Sequence, residues 1–269
     1  MGAGVTRHVR GALGDIGDAL ARRDVAFMLG WRDIAQRYKR SRIGAFWLTI
    51  NRAVLICALG LVFGTLFRRP MAEFLPYVGI GLIFWGYISG MISNGCQVFI
   101  SASGMILQSR LPYFLHVMKM WWGETAVLAH NLAIYPVLML IFLRNPGWAA
   151  LLAIPGFVLL SANLIWIATV LGLVSARFRD LPQIIQNLVQ VAFYLTPIMW
   201  MPDLLPDPTY VDLLNLNPFY HLLMVVKLPL LGQSPTIYNW LAVTLMAIVG
   251  WCFTLVFFGR FRARIPYWL

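Results

Sequence analysis

The stretch GWRDIAQRYKRSRIGAFWLTINRAVLICALGLVFGTLF, residues 30–67, changes character once, and that change decides the fold. Its first part carries Arg32, Asp33, Arg37, Lys39, Arg40 and Arg42; beyond them Arg52 is the one ionised side chain before Arg68. An apolar run over 43–67 exceeds the roughly 20 helical residues that cross a hydrocarbon core of about 30 Å. Basic residues at its threshold mark the side on which the chain is retained.

The same pattern recurs along the 269 residues, of which 60% are hydrophobic and 12% charged, whereas a soluble domain is about 25% charged. Apolar runs over 43–67, 74–97, 115–142, 148–174, 181–200 and 238–258 predict an all-α integral membrane protein with six transmembrane helices. An even number of spans puts both termini on one side. Arg68, Arg69, Arg144 and Lys227 flank the far ends of spans, Arg52 lies inside one, and the rest of the 21 basic residues lie on the N-terminal side. The positive-inside rule then makes both termini cytoplasmic. The expected organisation is one transmembrane domain: a cytoplasmic segment over 1–42, a six-span bundle over 43–258 and a cytoplasmic tail over 259–269.

The net charge of +11 does not indicate nucleic acid, because the cations gather at the ends of apolar runs and no nucleic-acid motif accompanies them. The N-terminal residues have no continuous apolar core or cleavage pattern, so no signal peptide is expected and the first span serves as targeting signal. Cys57, Cys96 and Cys252 form no CxxC pair. No lysine follows a glycine, which excludes a Walker A loop, and the four histidines show no HExxH or carboxylate-paired spacing. The chain is expected to hold no metal, no cofactor and no catalytic residue.

Four segments carry more than hydropathy. Over 24–42, Phe27, Met28, Trp31, Ile34, Ala35 and Tyr38 recur at three- and four-residue steps with Arg32, Arg37, Lys39 and Arg40 elsewhere on the wheel, which predicts an amphipathic interface helix. It serves as a topological anchor, as a docking surface, or both. FISASGMILQSRLPYF, residues 99–114, predicts a short helix ending before Pro112, a handle for a partner or an ordinary loop. SARFRDLPQIIQN, residues 175–187, places Asp180 as N-cap with Pro182 in the first turn. Residues 201–232 are too broken by proline and aspartate for one span, yet too apolar for a solvated loop. They predict re-entrant helices between spans five and six, or a helix flat on the outer leaflet, with Asn217-Pro218 as a helix start.

Charge within a span is costly unless paired or facing water. Arg52 and Glu124 each lie about nine residues into a span, roughly 13 Å deep. They pair with each other, or Arg52 faces a polar pathway, or Arg52 snorkels to the interface.

In RDIAQRYKRSRIGAFW, ALGLVFGTLF, LVSARFRDLPQIIQNLVQVAFYLTPIMW, LNPFYHLLMVVKLPLLG and the terminal RARIPYWL, taken in order, the chain resembles the membrane subunits of bacterial type 2 ABC exporters of polysaccharides, the Wzm-type O-antigen permeases. Ala45 departs from the pattern, since many relatives carry proline after the glycine. The resemblance implies a multi-pass protein of the bacterial cytoplasmic (inner) membrane, a homodimer served by two copies of a cytosolic ATP-binding subunit that holds ATP and Mg. Its cargo would be a polyprenyl-diphosphate-linked polysaccharide. Carried over by position, Trp31, Arg32, Arg37, Lys39 and Arg40, with Gln108, Ser109, Arg110, Leu111 and Pro112, would contact the ATPase. Asp203, Asp207, Asn217, Pro218, Phe219, Tyr220 and His221 would belong to an outer gate. Arg52, Glu124, Trp85, Tyr87, Phe193 and Tyr194 are candidates for the pathway, because sugar rings lie on aromatic faces; packing and an interfacial belt are the plainer roles for the rings. A permease for a small hydrophobic drug or lipid is the alternative. A membrane-embedded transferase on polyprenyl-linked sugars is a more distant one, since it lacks the paired carboxylates it needs.

Overall fold

A computed structural model describes residues 2–38, 46–204 and 213–269. Among these, every regular element is helical. Two helices, α1 (Gly2–Ala21) and α2 (Arg23–Tyr38), precede the long α3 (Phe46–Leu66) and α4 (Met71–Ser101). A short α5 (Ser103–Gln108) leads to α6 (Tyr113–Leu132) and α7 (Ile134–Ile141). A 3-10 turn at Gly147–Leu152 opens α8 (Ala153–Arg177), and α9 (Leu181–Leu195) follows closely. After a 3-10 turn at Pro202–Leu204 come α10 (Pro218–Leu230) and α11 (Ile237–Phe261), then a 3-10 turn at Arg262–Arg264 and α12 (Ile265–Trp268).

Five helical stretches among the described residues are long and apolar enough to cross a membrane: Phe46–Leu66, Met71–Gln108, Tyr113–Ile141, Gly147–Arg177 and Ile237–Trp268. They coincide with five of the six expected spans. The stretch 181–200 instead forms the 15-residue α9, about 22 Å of helix, and then turns extended at Thr196. Thr196 precedes Pro197, whose ring disfavours the helical region for the residue before it. The crossing over Tyr113–Ile141 carries a one-residue break between Leu132 and Ile134, where Pro136 supplies no amide for the ladder.

α4 is the central post. It is buried along nearly its whole length and packs against α3, α6, α8, α9 and α10. Between apolar helices in lipid, close packing replaces the hydrophobic drive, and small residues permit it. Gly95 of α4 and Gly172 of α8 meet this need: a Cβ on Gly172 would stand 2.9 Å from the Gly95 carbonyl oxygen. In contrast, α3 touches the bundle through the narrow stripe Ile56, Gly60 and Gly64, leaving Trp47, Val54, Leu61 and Val62 outward.

α1 has no counterpart among the expected elements. It buries Ala12, Asp15 and Ala19 against α6 and α11, and approaches α11 so closely that a Cβ on Gly259 would collide with the His8 carbonyl. The beginning of the chain and α12 therefore share one end of the bundle, the basic end. The turn at 67–70, the segment 196–204 and Gly232 lie at the opposite end.

Candidate functional site

At the basic end, Pro112 opens α6 with no side-chain acceptor of its own for the free amides. Asp15 of α1 supplies one: Oδ2 accepts from Tyr113 N at 3.2 Å and Oδ1 from Phe114 N at 2.9 Å. Arg262, just past α11, holds the same carboxylate at 3.6 Å. Burial lifts the Asp15 carboxyl above its ordinary value of 3.8, against the opposing pull of the two amides and Arg262. Ser109, Arg110, Leu111 and Pro112 line a cavity of 350 Å³ together with Asp15, Asp18 and Arg22. Gln108 and Arg110 are exposed, and Ser109 turns inward to donate to the Met105 carbonyl at 2.7 Å. Asp15 escaped the sequence reading, although its spacing from Ala12 and Ala19 puts a carboxylate on a helix face of small residues.

α2 lies on α6. Gly30 sits against Trp122 and the Lys119 carbonyl, the Phe27 and Trp122 rings are 4.7 Å apart, and Asp33 pairs with Lys119 at 2.7 Å. This divides the expected stripe: Phe27 and Ile34 turn toward the protein, whereas Trp31, 58% exposed, points away with Arg32. Lys39, Arg40 and the Arg37 side chain lie outside the described residues.

The pathway candidates separate into two groups. Arg52 lies against Gly86 and Glu124 against Gly90, one turn apart on α4, where a Cβ on either glycine would collide with the charged group. Glu124 accepts from Asn94 Nδ2 at 2.7 Å, and among the described residues no ion pair joins it to Arg52. Trp85 and Tyr87, by contrast, are buried. Trp85 packs with the rings of Phe193 and Phe219 at 5.9 and 5.7 Å, and the Tyr87 hydroxyl shares a hydrogen bond with Ser161 at 3.0 Å. Tyr194 is 60% exposed beside Phe193. One feature of α9 was missed: Gln183, Gln186, Asn187 and Gln190 form a single exposed amide face on a helix otherwise rich in apolar residues. Its signal in the sequence is the three- and four-residue recurrence of amides within 181–200.

At the opposite end, two carbonyls of the non-helical segment 196–200 take donors from neighbouring helices, as buried irregular backbone requires. Tyr77 Oη donates to the carbonyls of Pro197 at 3.0 Å and Trp200 at 3.2 Å. Lys227 Nζ donates to the same Pro197 oxygen at 2.9 Å and lies 3.1 Å from the Tyr77 ring centre. Lys227, placed among the far-end flanking cations by sequence, is in fact fully buried. Asn217 caps α10 as expected, accepting from Phe219 N at 2.9 Å with Pro218 at the first helical position, and its Nδ2 donates to Thr196 Oγ1 at 3.1 Å. His221 meets Asn239 Oδ1 at 2.8 Å and the Asn215 carbonyl at 2.9 Å. The ion pairs Arg69–Asp203 and Arg144–Glu73 edge a 440 Å³ cavity that Tyr220 also lines. Asp207 lies outside the described residues.

The family model described as ABC-2 type transporter matches residues 25–230. Among curated relatives, the O-antigen export system permease protein RfbA of Myxococcus xanthus is 24% identical over 203 residues, 75% of this chain and 78% of that protein. A protein of the same name from Klebsiella pneumoniae is 20% identical over 240 residues, 87% of this chain and 89% of the relative.

Proposed function

Because this chain belongs to the ABC-2 type transporter family, we propose that it is the permease subunit of an ATP-driven exporter of an O-antigen-like polysaccharide. The observation that carries this reading is the likeness to permeases named for O-antigen export, which extends over three-quarters of the chain or more. Transport is its task, and ATP hydrolysis belongs to a separate subunit that docks at the basic end. The 108–112 loop and the outward Trp31 and Arg32 form the docking surface, with the Asp15 clamp holding the loop in register.

In this reading the basic end and both termini are cytoplasmic in the bacterial inner membrane. The sixth crossing is shared by α9 and the segment 196–200, which together bring the chain to the outer face. Two copies meet through α3 and α9, whose outward apolar side chains are exposed among the described residues. The amide face of α9 then borders the passage, where Gln and Asn offer donors and acceptors to sugar hydroxyls. Segment 196–204 and α10 form the outer gate. The cargo is a polysaccharide on a polyprenyl diphosphate.

The test is deletion of the gene with complementation. Surface polysaccharide is expected to disappear while polymer accumulates in the cell, and resistance to hydrophobic drugs is expected to stay unchanged. Intact surface polymer with lost drug efflux would instead make this a drug permease.

A further inference from the structure

One face of α4 is unlike the rest of that helix. Gly86, Gly90, Asn94, Gln97 and Ser101 recur at steps of three and four, so they line one side of an otherwise apolar post for roughly 22 Å. The deep part of this side is covered by Arg52 and Glu124. Toward the basic end it opens into a 170 Å³ cavity, to which α6 contributes His116 and Lys119 and α2 contributes Asp33.

His116 is 2% exposed, and neither of its ring nitrogens has a hydrogen-bond partner among the described residues. Buried polar groups are rarely left so, and the cavity is the place from which a partner can come. The other lining groups narrow its chemistry. Lys119, the one lysine or arginine in the lining, is already paired with Asp33, so the cavity offers a diphosphate no unpaired ammonium or guanidinium. An apolar ligand would leave the buried ring nitrogens of His116 without partners. Hydroxyl groups both donate and accept, which suits a mixture of amide, carboxylate, hydroxyl and imidazole. The room is that of about five or six water molecules, enough for a single sugar ring.

We propose that this cavity and the polar side of α4 form a binding station for a sugar ring of the exported chain, entered from the basic end. The proposal deepens the export reading and rests on it.

The test uses the permease–ATPase complex in inside-out vesicles, with Cys57, Cys96 and Cys252 replaced by alanine and Gln97→Cys introduced. The vesicles come from cells that make the polymer and from cells blocked in its synthesis. A charged methanethiosulfonate reagent is expected to label the new thiol without polymer, and about tenfold more slowly with it. In parallel, His116→Phe and Gln97→Leu, at normal abundance in the membrane, are expected to lower surface polymer about tenfold. Equal labelling with and without polymer, or no labelling in either, would mean at most a hydrated cavity and would overturn the proposal. If those variants do not accumulate, the labelling comparison decides alone. Failure of the export reading is seen separately, as surface polymer that survives deletion of the whole gene.

Discussion

Asp15 Oδ1 lies 2.9 Å from the backbone nitrogen of Phe114, so a carboxylate on the first helix caps the helix that follows the 109–112 loop. Arg262 holds the same group from the end of α11. Three segments distant in sequence are thereby tied at one point, and the loop cannot shift without moving α1 or the last long helix.

Asp15→Ala leaves two amides at the start of α6 uncapped in a buried setting and is expected to lower stability by roughly 1–3 kcal/mol. Asp15→Asn keeps one acceptor and is expected to lose less. Thermal unfolding of the purified permease in detergent measures the difference. Crosslinking of Arg110→Cys to the ATPase subunit should weaken in the alanine variant first; unchanged crosslinking would separate Asp15 from the docking loop.

Acidity offers a second handle on this carboxyl. Burial raises it above 3.8, so its contribution to stability is complete below 3.8 and is lost as the pH rises through the raised value. Wild-type stability is expected to fall over that acid window relative to Asp15→Asn, whose amide cannot ionise. Parallel curves for the two proteins would contradict the sign.

Tyr77→Phe removes the hydroxyl that holds the carbonyls of Pro197 and Trp200. Lys227 still serves Pro197, so the loss falls mainly on Trp200 and is expected to cost about 1–2 kcal/mol. Loosening of the non-helical segment should also raise thiol reactivity at Met199→Cys. Unaltered reactivity would show that other contacts pin the segment.

Arg52 and Glu124 each rest on a glycine of α4, without an ion pair between them. Exchanging the two charges, Arg52→Glu with Glu124→Arg, is therefore expected to restore no export. Glu124→Gln, which retains an acceptor for Asn94, should impair export less than Glu124→Ala. Gly90→Ala forces a methyl group into the Glu124 carboxylate and is expected to reduce membrane abundance, as immunoblotting can show. Recovery by the double exchange would establish a pair after all.

Hydropathy located α3, α4, α6, α8 and α11 because each long helix must meet the membrane's demand within its own residues. It failed at Thr196, where a proline constraint outweighed an apolar run. The Asn217 cap was legible because the capping oxygen and its amide are neighbours in the chain. The two roles of Gly86 and Gly90 were not. A four-residue glycine spacing is compatible with any close helix contact, and only the fold shows charged side chains occupying the space.

Local sequence is enough to establish a helical membrane protein, where its apolar segments begin and which positions near their ends are basic. These properties follow from local composition meeting the cost of polar backbone and charge in hydrocarbon. The tertiary structure alone decided which polar groups find one another: Asp15 with Phe114 and Arg262, Tyr77 and Lys227 with Pro197, and Glu124 with Asn94. A buried polar group takes its partner from whichever helix is packed beside it, and helix packing is set by shape along whole surfaces rather than by neighbouring residues.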